Sequence, residues 1–321
     1  MRLLLCLLAC TSLAAQDVCH VFGRPPAHSI VHRSVDEWKY VYAVVHVHDT
    51  IPATVVYEAI TDANQQLSDS HIQLSLVAVE YHEWNVPDTV CFPYSYVPME
   101  EYVIPIQYPT TEYMNIHVMP EFCGNTLGFA FLWYAVNQDA DGVYVRSDCF
   151  GTTGNLLPDR NENKTLVHEL GHYFSLFHTF QGIDYCGEEE ADCTLVNDRV
   201  CDTPPVKLNW SCSDPICPAE LYDYTPNNYM DYYVDSCKTQ FTQGQIERMH
   251  SVMPLWRPQI VRDTPFCEGD LNNDSNVDIL DLLVMFTCYG TDENTQADIN
   301  KDGIVSVADL TTLLMHWSIA C

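Results

Sequence analysis

Residues 168–178 read His-Glu-Leu-Gly-His-Tyr-Phe-Ser-Leu-Phe-His, and no other stretch restricts the fold as tightly. Histidines four apart on a helix lie about 40° apart around its axis, so His168 and His172 offer both imidazoles from one face. On a continued helix His178 would point off that face. The three can meet only if the helix ends near Ser175 and the chain turns sharply there.

Three neutral imidazoles suit a borderline cation such as zinc, and three protein ligands leave a fourth position for water. The expected cofactor is therefore one catalytic Zn2+ on His168, His172 and His178. Glu169, beside the first ligand, is placed to take a proton from that water and pass it to a leaving amine, which makes it the expected general base.

Met1-Arg2, an apolar run over residues 3–9 and small residues at Ser12, Ala14 and Ala15 have the order of a secretory signal peptide over residues 1–15. A rival reading takes Leu7-Leu8-Ala9-Cys10 as a lipoprotein signal. The first implies a secreted, extracellular protein, and the fifteen cysteines then read as a disulfide framework rather than as thiolate ligands. With Cys6 and Cys10 in the leader the remainder is odd. Cys19, the most isolated, is left for a free thiol, an interchain pair or a latch on zinc. Beyond the leader no apolar run approaches the ~20 residues of a membrane span. Asp and Glu outnumber Lys and Arg 44 to 14, a balance that argues against nucleic acid and favours divalent cations.

A short segment, 16–36, precedes a mixed domain over 37–262. Strands are expected over 40–47, 71–79, 113–119, 126–134 and 142–146, from β-rich or alternating residues. Helices are expected over 54–67, 161–175 and 242–253, the last opening with Thr242 and Gln245 in capping-box spacing. Asn163, Asn209 and Asn273 head glycosylation sequons.

The 168–178 run resembles the metzincin motif, and its flanks resemble the pappalysin (cytophagalysin) group of metallopeptidases. So do Asn227-Asn228-Tyr229-Met230-Asp231-Tyr232 as a Met-turn, the helix from Phe241 to Met249, and the Gly128-Phe129-Ala130 and Asp141-Gly142-Val143 region. The likeness implies an α+β zincin domain with a mixed twisted sheet, a backing helix and an active-site helix, acting on protein or peptide substrates. Met230 becomes the floor beneath zinc and Tyr232 a donor to the oxyanion. Asp235 becomes a selector of Arg or Lys after the scissile bond. One or more calcium ions are implied in this domain, on Asp198, the Thr203 side chain and the carbonyls of Val196 and Cys201. Disulfides Cys193–Cys217 and Cys212–Cys237 are implied as well. The motif has Gly where this chain has Ser175, which either takes a left-handed conformation at roughly 1 kcal/mol or turns differently.

From Cys267 the composition shifts to Asp, Asn and Leu, and a loop-helix unit repeats over 267–321. Asp270, Asn272, Asp274, Asp278 and Asp281 occupy positions 1, 3, 5, 9 and 12 of an EF-hand-like calcium loop, as do Asp298, Asn300, Asp302, Ser306 and Asp309; Asn276 and Ile304 sit at the seventh, carbonyl position. Loops that end in Asp, in tandem, resemble a type I dockerin. This small all-α module implies two calcium ions and a cohesin-like partner, with Cys267, Cys288 and Cys321 as staples. Two functions stay open: a secreted zinc endopeptidase with an attachment module, or a catalytically inactive metzincin-fold binding or scaffold-associated protein.

Overall fold

A computed structural model describes residues 18–21, 35, 37–48, 50–83, 103–122, 124–132, 139–181, 193, 198–203, 206, 208, 227–272, 274, 276–291, 296–300 and 302–317. Its centre is a twisted mixed sheet built from β1 (Val18–Val21), β2 (Lys39–His48), β3 (Ile72–His82), β4 (Met114–Met119), β5 (Thr126–Ala130) and β6 (Val143–Arg146), with β7 (Val261–Arg262) beside β2. The order is β1-β5-β6-β4-β2-β3. Pairings are parallel except β5 with β6 and β7 with β2. Central strands need apolar residues on both faces. Accordingly Val41, Ala43, Val45 and Val47 of β2 face the helices, while Val44 and His46 are buried on the other side.

Helix α1 (Ala53–Gln66) buries Val56, Ala59, Ile60 and Ala63, the stripe its spacing predicts. Helix α2 (Lys164–Tyr173) starts three residues later than its pattern suggests, because Asn163 takes a left-handed φ of 58°. The Asn163 amide is spent inside, on the N–H of Gly151 at 2.9 Å and the carbonyl of Ala59 at 2.8 Å. It is fully buried, so its sequon is closed in the folded chain. Asn209 and Asn273 lie outside the described residues. Helix α3 (Gln243–Trp256) opens with the expected capping box of Thr242 and Gln245 and runs through Pro254, past the expected end. Asp202 adds a second cap, accepting from Thr242 Oγ1 and the Gly244 N–H at 2.7 Å each.

Across the face of the sheet turned away from these helices, Phe129, Tyr144, His117 and His46 stand opposite one another on β5, β6, β4 and β2, with centroids 4.3, 4.8 and 4.6 Å apart. Asn115 Oδ1 can only accept, so His46 donates to it from Nε2 and receives at Nδ1 from His82 Nε2 at 3.0 Å.

After β7, helices α4 (Ile279–Cys288) and α5 (Val307–Met315) close over a core of their own: Leu271, Val277, Met285, Ala297, Val305 and Leu313. Each opens with a capping box, Asp278 with Asp281 and Ser306 with Asp309. Cys267 is disulfide-bonded, whereas Cys288 is a free thiol, so the latter is no staple. Cys321 lies outside the described residues. No described helix is long and apolar enough to cross a membrane.

Candidate metal centre

Helix α2 leaves the α conformation after Tyr173, and Ser175 takes φ 73°. The serine therefore adopts the left-handed turn itself, and the chain doubles back as the three-histidine geometry demands. The turn is closed by Ser175 N–H to His172 O at 2.8 Å and Leu176 N–H to Gly171 O at 2.9 Å.

Two of the imidazoles are locked from behind. His168 Nδ1 donates to the carbonyl of Tyr229 at 2.6 Å and His172 Nδ1 to that of Leu176 at 2.8 Å. A carbonyl only accepts, so in both rings Nδ1 carries the proton and Nε2 presents its lone pair. Those lone pairs converge, His172 Nε2 lying 3.1 Å from His168 Nε2, and His178 brings its own Nε2 to 3.0 Å from His172 Nε2. Neutral lone pairs held at that spacing repel, and a cation between them removes the repulsion. The donor set, nitrogen from three buried histidines within 4.8 Å of one another, could hold a metal ion. Burial holds His172 down to about 4, and burial, then His172, then the Lys238 charge hold His168 well below the usual imidazole range. Both rings are thus neutral ligands.

Glu169 is fully buried, and a Cβ built on Gly128 of β5 would stand 2.7 Å from its Oε1. Strand β5 thus approaches the carboxylate as only a glycine permits. Met230 is buried beneath Gly171 of α2, and Tyr232 packs on His178 at 4.6 Å. Phe180 stacks flat on His178 at 4.8 Å, a contact the sequence reading missed; its aromatic character two residues past a ligand was the available signal. Also missed were Arg248 of α3 and Arg257, the residue that caps the end of α3, which hold the carbonyls of Ser175 at 2.9 Å and Tyr173 at 3.2 Å.

Asp235 is buried at the start of α2, where its Oδ2 accepts the Glu162 N–H at 3.0 Å. In the 198–203 loop, Thr203 Oγ1 lies 2.7 and 2.8 Å from the Asp198 carboxylate oxygens and 2.7 Å from the Val200 carbonyl. Burial pushes Asp198 up to about 8, and the cluster is made of oxygen atoms, the donor type a hard cation takes. Val196 lies outside the described residues. Cys201 is bonded to Cys193, which overturns the pairing of Cys193 with Cys217: the loop folds back so that their Cα atoms stand 5.1 Å apart. Cys237 is also disulfide-bonded, and Cys212 lies outside the described residues.

In the C-terminal loops, Asp281 Oδ1 takes the N–H of Leu271 at 2.7 Å and of Asn272 at 3.1 Å, and Asp309 Oδ1 takes that of Asn300 at 3.0 Å. The twelfth position thereby closes each loop on its start. Asp270 accepts from the Asp274 N–H, and Asp298 from the Gly303 N–H, where a φ of 89° uses the glycine's freedom. Asn272, Asp274, Asn300 and Asp302 point their oxygens at successive backbone N–H groups of the same loops.

Residues 99–254 match the family described as Pregnancy-associated plasma protein-A, and residues 268–316 match the Dockerin type I domain. A protein named Extracellular metalloprotease 1 from Coccidioides posadasii is 45% identical over 154 residues, 45% of this chain and 49% of that one. The chain spans about half the length of the curated relatives it matches. Among solved structures, mirolysin bound to a compound superposes with TM-score 0.57 at 22% identity, over 70% of this chain and 96% of that one. Mature mirolysin from Tannerella forsythia, bound to a cleaved peptide, gives 0.53 at 22% identity over 67% and 91%. At that identity the likeness is one of fold. Residues 99–254 are therefore similar to the pregnancy-associated plasma protein-A, or pappalysin, family, and residues 268–316 to the type I dockerin domain.

Proposed function

We propose that this chain is a secreted zinc-dependent endopeptidase of protein or peptide substrates, with a C-terminal module for calcium-dependent attachment. The observation that carries the reading is the convergence of three Nε2 atoms beside the buried Glu169. Zinc, when bound by His168, His172 and His178, supplies Lewis-acid polarisation of the scissile carbonyl and the attacking water. Glu169 takes the water's proton and returns it to the leaving amine. Tyr232, packed edge-on against His178, would donate its hydroxyl to the oxyanion. Met230 packs under α2 and keeps the first two imidazoles in register.

Strand β5 offers an extended peptide a backbone edge next to Glu169, an edge that β1 covers in this structure. The neighbour bound to a cleaved peptide supports a peptide substrate, and the relative named extracellular supports secretion. We infer that Asp235 prefers Arg or Lys after the cut, since its Oδ1 is buried without a hydrogen-bond partner among the described residues. Calcium is assigned to the Asp198–Thr203 cluster and, one ion each, to the loops from Asp270 and Asp298. A cohesin-like partner is proposed on the module's exposed apolar residues, Ile279, Leu283 and Phe286 of α4 with Val307, Leu314 and Met315 of α5.

Casein hydrolysis by the full chain tests the whole. The proposal expects cleavage that a zinc chelator and Glu169→Ala both abolish. Stoichiometric zinc without cleavage would assign the alternative, a binding role. Matched peptides with Arg or Leu after the cut test Asp235, and equal rates would sink that assignment.

A further inference from the structure

We infer that Arg248 is a positioning residue for the metal centre, holding the serine turn through which His178 is delivered. The inference rests on the metal reading of the three histidines. Ser175 is buried and left-handed, a conformation in which its Cβ crowds the following carbonyl. Its hydroxyl has no hydrogen-bond partner among the described residues, so the side chain brings no compensating bond. The compensation comes from α3. Arg248 Nε donates to the Ser175 carbonyl at 2.9 Å, and its guanidinium lies over the Phe177 ring at 5.1 Å with Asp198 nearby. One side chain thus spans the turn on both sides of Leu176, whose own carbonyl orients His172.

Without the Arg248 bond, a serine here relaxes toward an ordinary φ and carries His178 away from the other two ligands. A glycine has no such preference and stays in the turn. Loss of Arg248 should therefore be cured by glycine at 175, a rescue that simple damage to α3 packing would not show.

The test uses the full chain with zinc affinity read by chelator competition and the ligand field read from the visible absorption of the cobalt-loaded protein. Arg248→Met should weaken zinc about tenfold and alter the cobalt bands, while Ser175→Gly alone stays within about threefold of the parent. The double variant should return to within about threefold, with the parent's cobalt bands. A double variant as weak as Arg248→Met overturns the inference. If Arg248→Met does not fold, Arg248→Lys keeps the aliphatic stem and the charge toward Asp198 but not the Nε donor, and the same rescue decides. A parent chain that binds no zinc overturns the metal reading itself, which this experiment separates from a parent that binds zinc without rescue.

Discussion

A Cβ built on Gly171 would stand 2.4 Å from the sulfur of Met230 and 3.2 Å from Phe241. The turn that carries Met230 is therefore pressed against α2 one residue before His172. Gly171→Ala should overpack this contact and cost about 1–3 kcal/mol. A thermal melt of the metal-free protein checks it, and an unchanged midpoint would show that the contact yields.

Gly128 stands in the same relation to Glu169. Gly128→Ala brings a methyl within 2.7 Å of Oε1 and 2.9 Å of the Tyr144 carbonyl. The expected outcome is a fall in kcat with zinc affinity kept, because the carboxylate moves and the imidazoles do not. Glu169→Gln should lower kcat by about 10²–10⁴-fold, also with zinc retained. Peptide kinetics beside a metal titration separate the two effects.

Ser175→Gly should stabilise the fold by about 1–2 kcal/mol, since it removes both a left-handed Cβ and a buried unbonded hydroxyl. Denaturant unfolding measures this, and a loss of stability would contradict it.

In the metal-free protein, burial holds His172 down to about 4 against a usual value near 6.5. A depressed imidazole contributes stability that is fully present above its unfolded value and is lost as pH falls toward its folded one. Stability should therefore decline between about pH 6.5 and 4, more steeply in the parent than in His172→Gln. Parallel unfolding curves for the two across that range would remove the argument.

Strand β1 pairs with β5 from Val18↔Thr126 to Val21↔Ala130, beside Gly128 and Glu169. A chain lacking residues up to Val21 should hydrolyse short peptides faster, chiefly through KM, as the edge of β5 is released. Equal KM values would mean that β1 does not compete with substrate.

Much of this architecture was legible in the residues. The stripe on α1, the alternation in β3 and the Thr242–Gln245 capping box are local patterns, set by side chains a few positions apart, and each appears where it was expected. The active-site helix, expected over 161–175 and found at 164–173, and its abrupt end were also implied, because only a reversal lets His178 join His168 and His172. What was not legible depends on distant partners: Cys193 bonds Cys201 and not Cys217, Cys288 is a free thiol, and β1 forms against an edge more than a hundred residues away.

By itself, then, the sequence singled out the three histidines, the glutamate beside them, the repeated acidic loops and most of the helices and strands, since helix and strand periods act over short range. The tertiary structure alone decided that Ser175 bends left-handed under the hold of Arg248 and that Gly128 and Gly171 admit Glu169 and Met230 at close range. It also decided that Asp198 is buried against Thr203. These relations join residues far apart in the chain, and only packing, which excludes water and fixes distances to tenths of an ångström, brings them together.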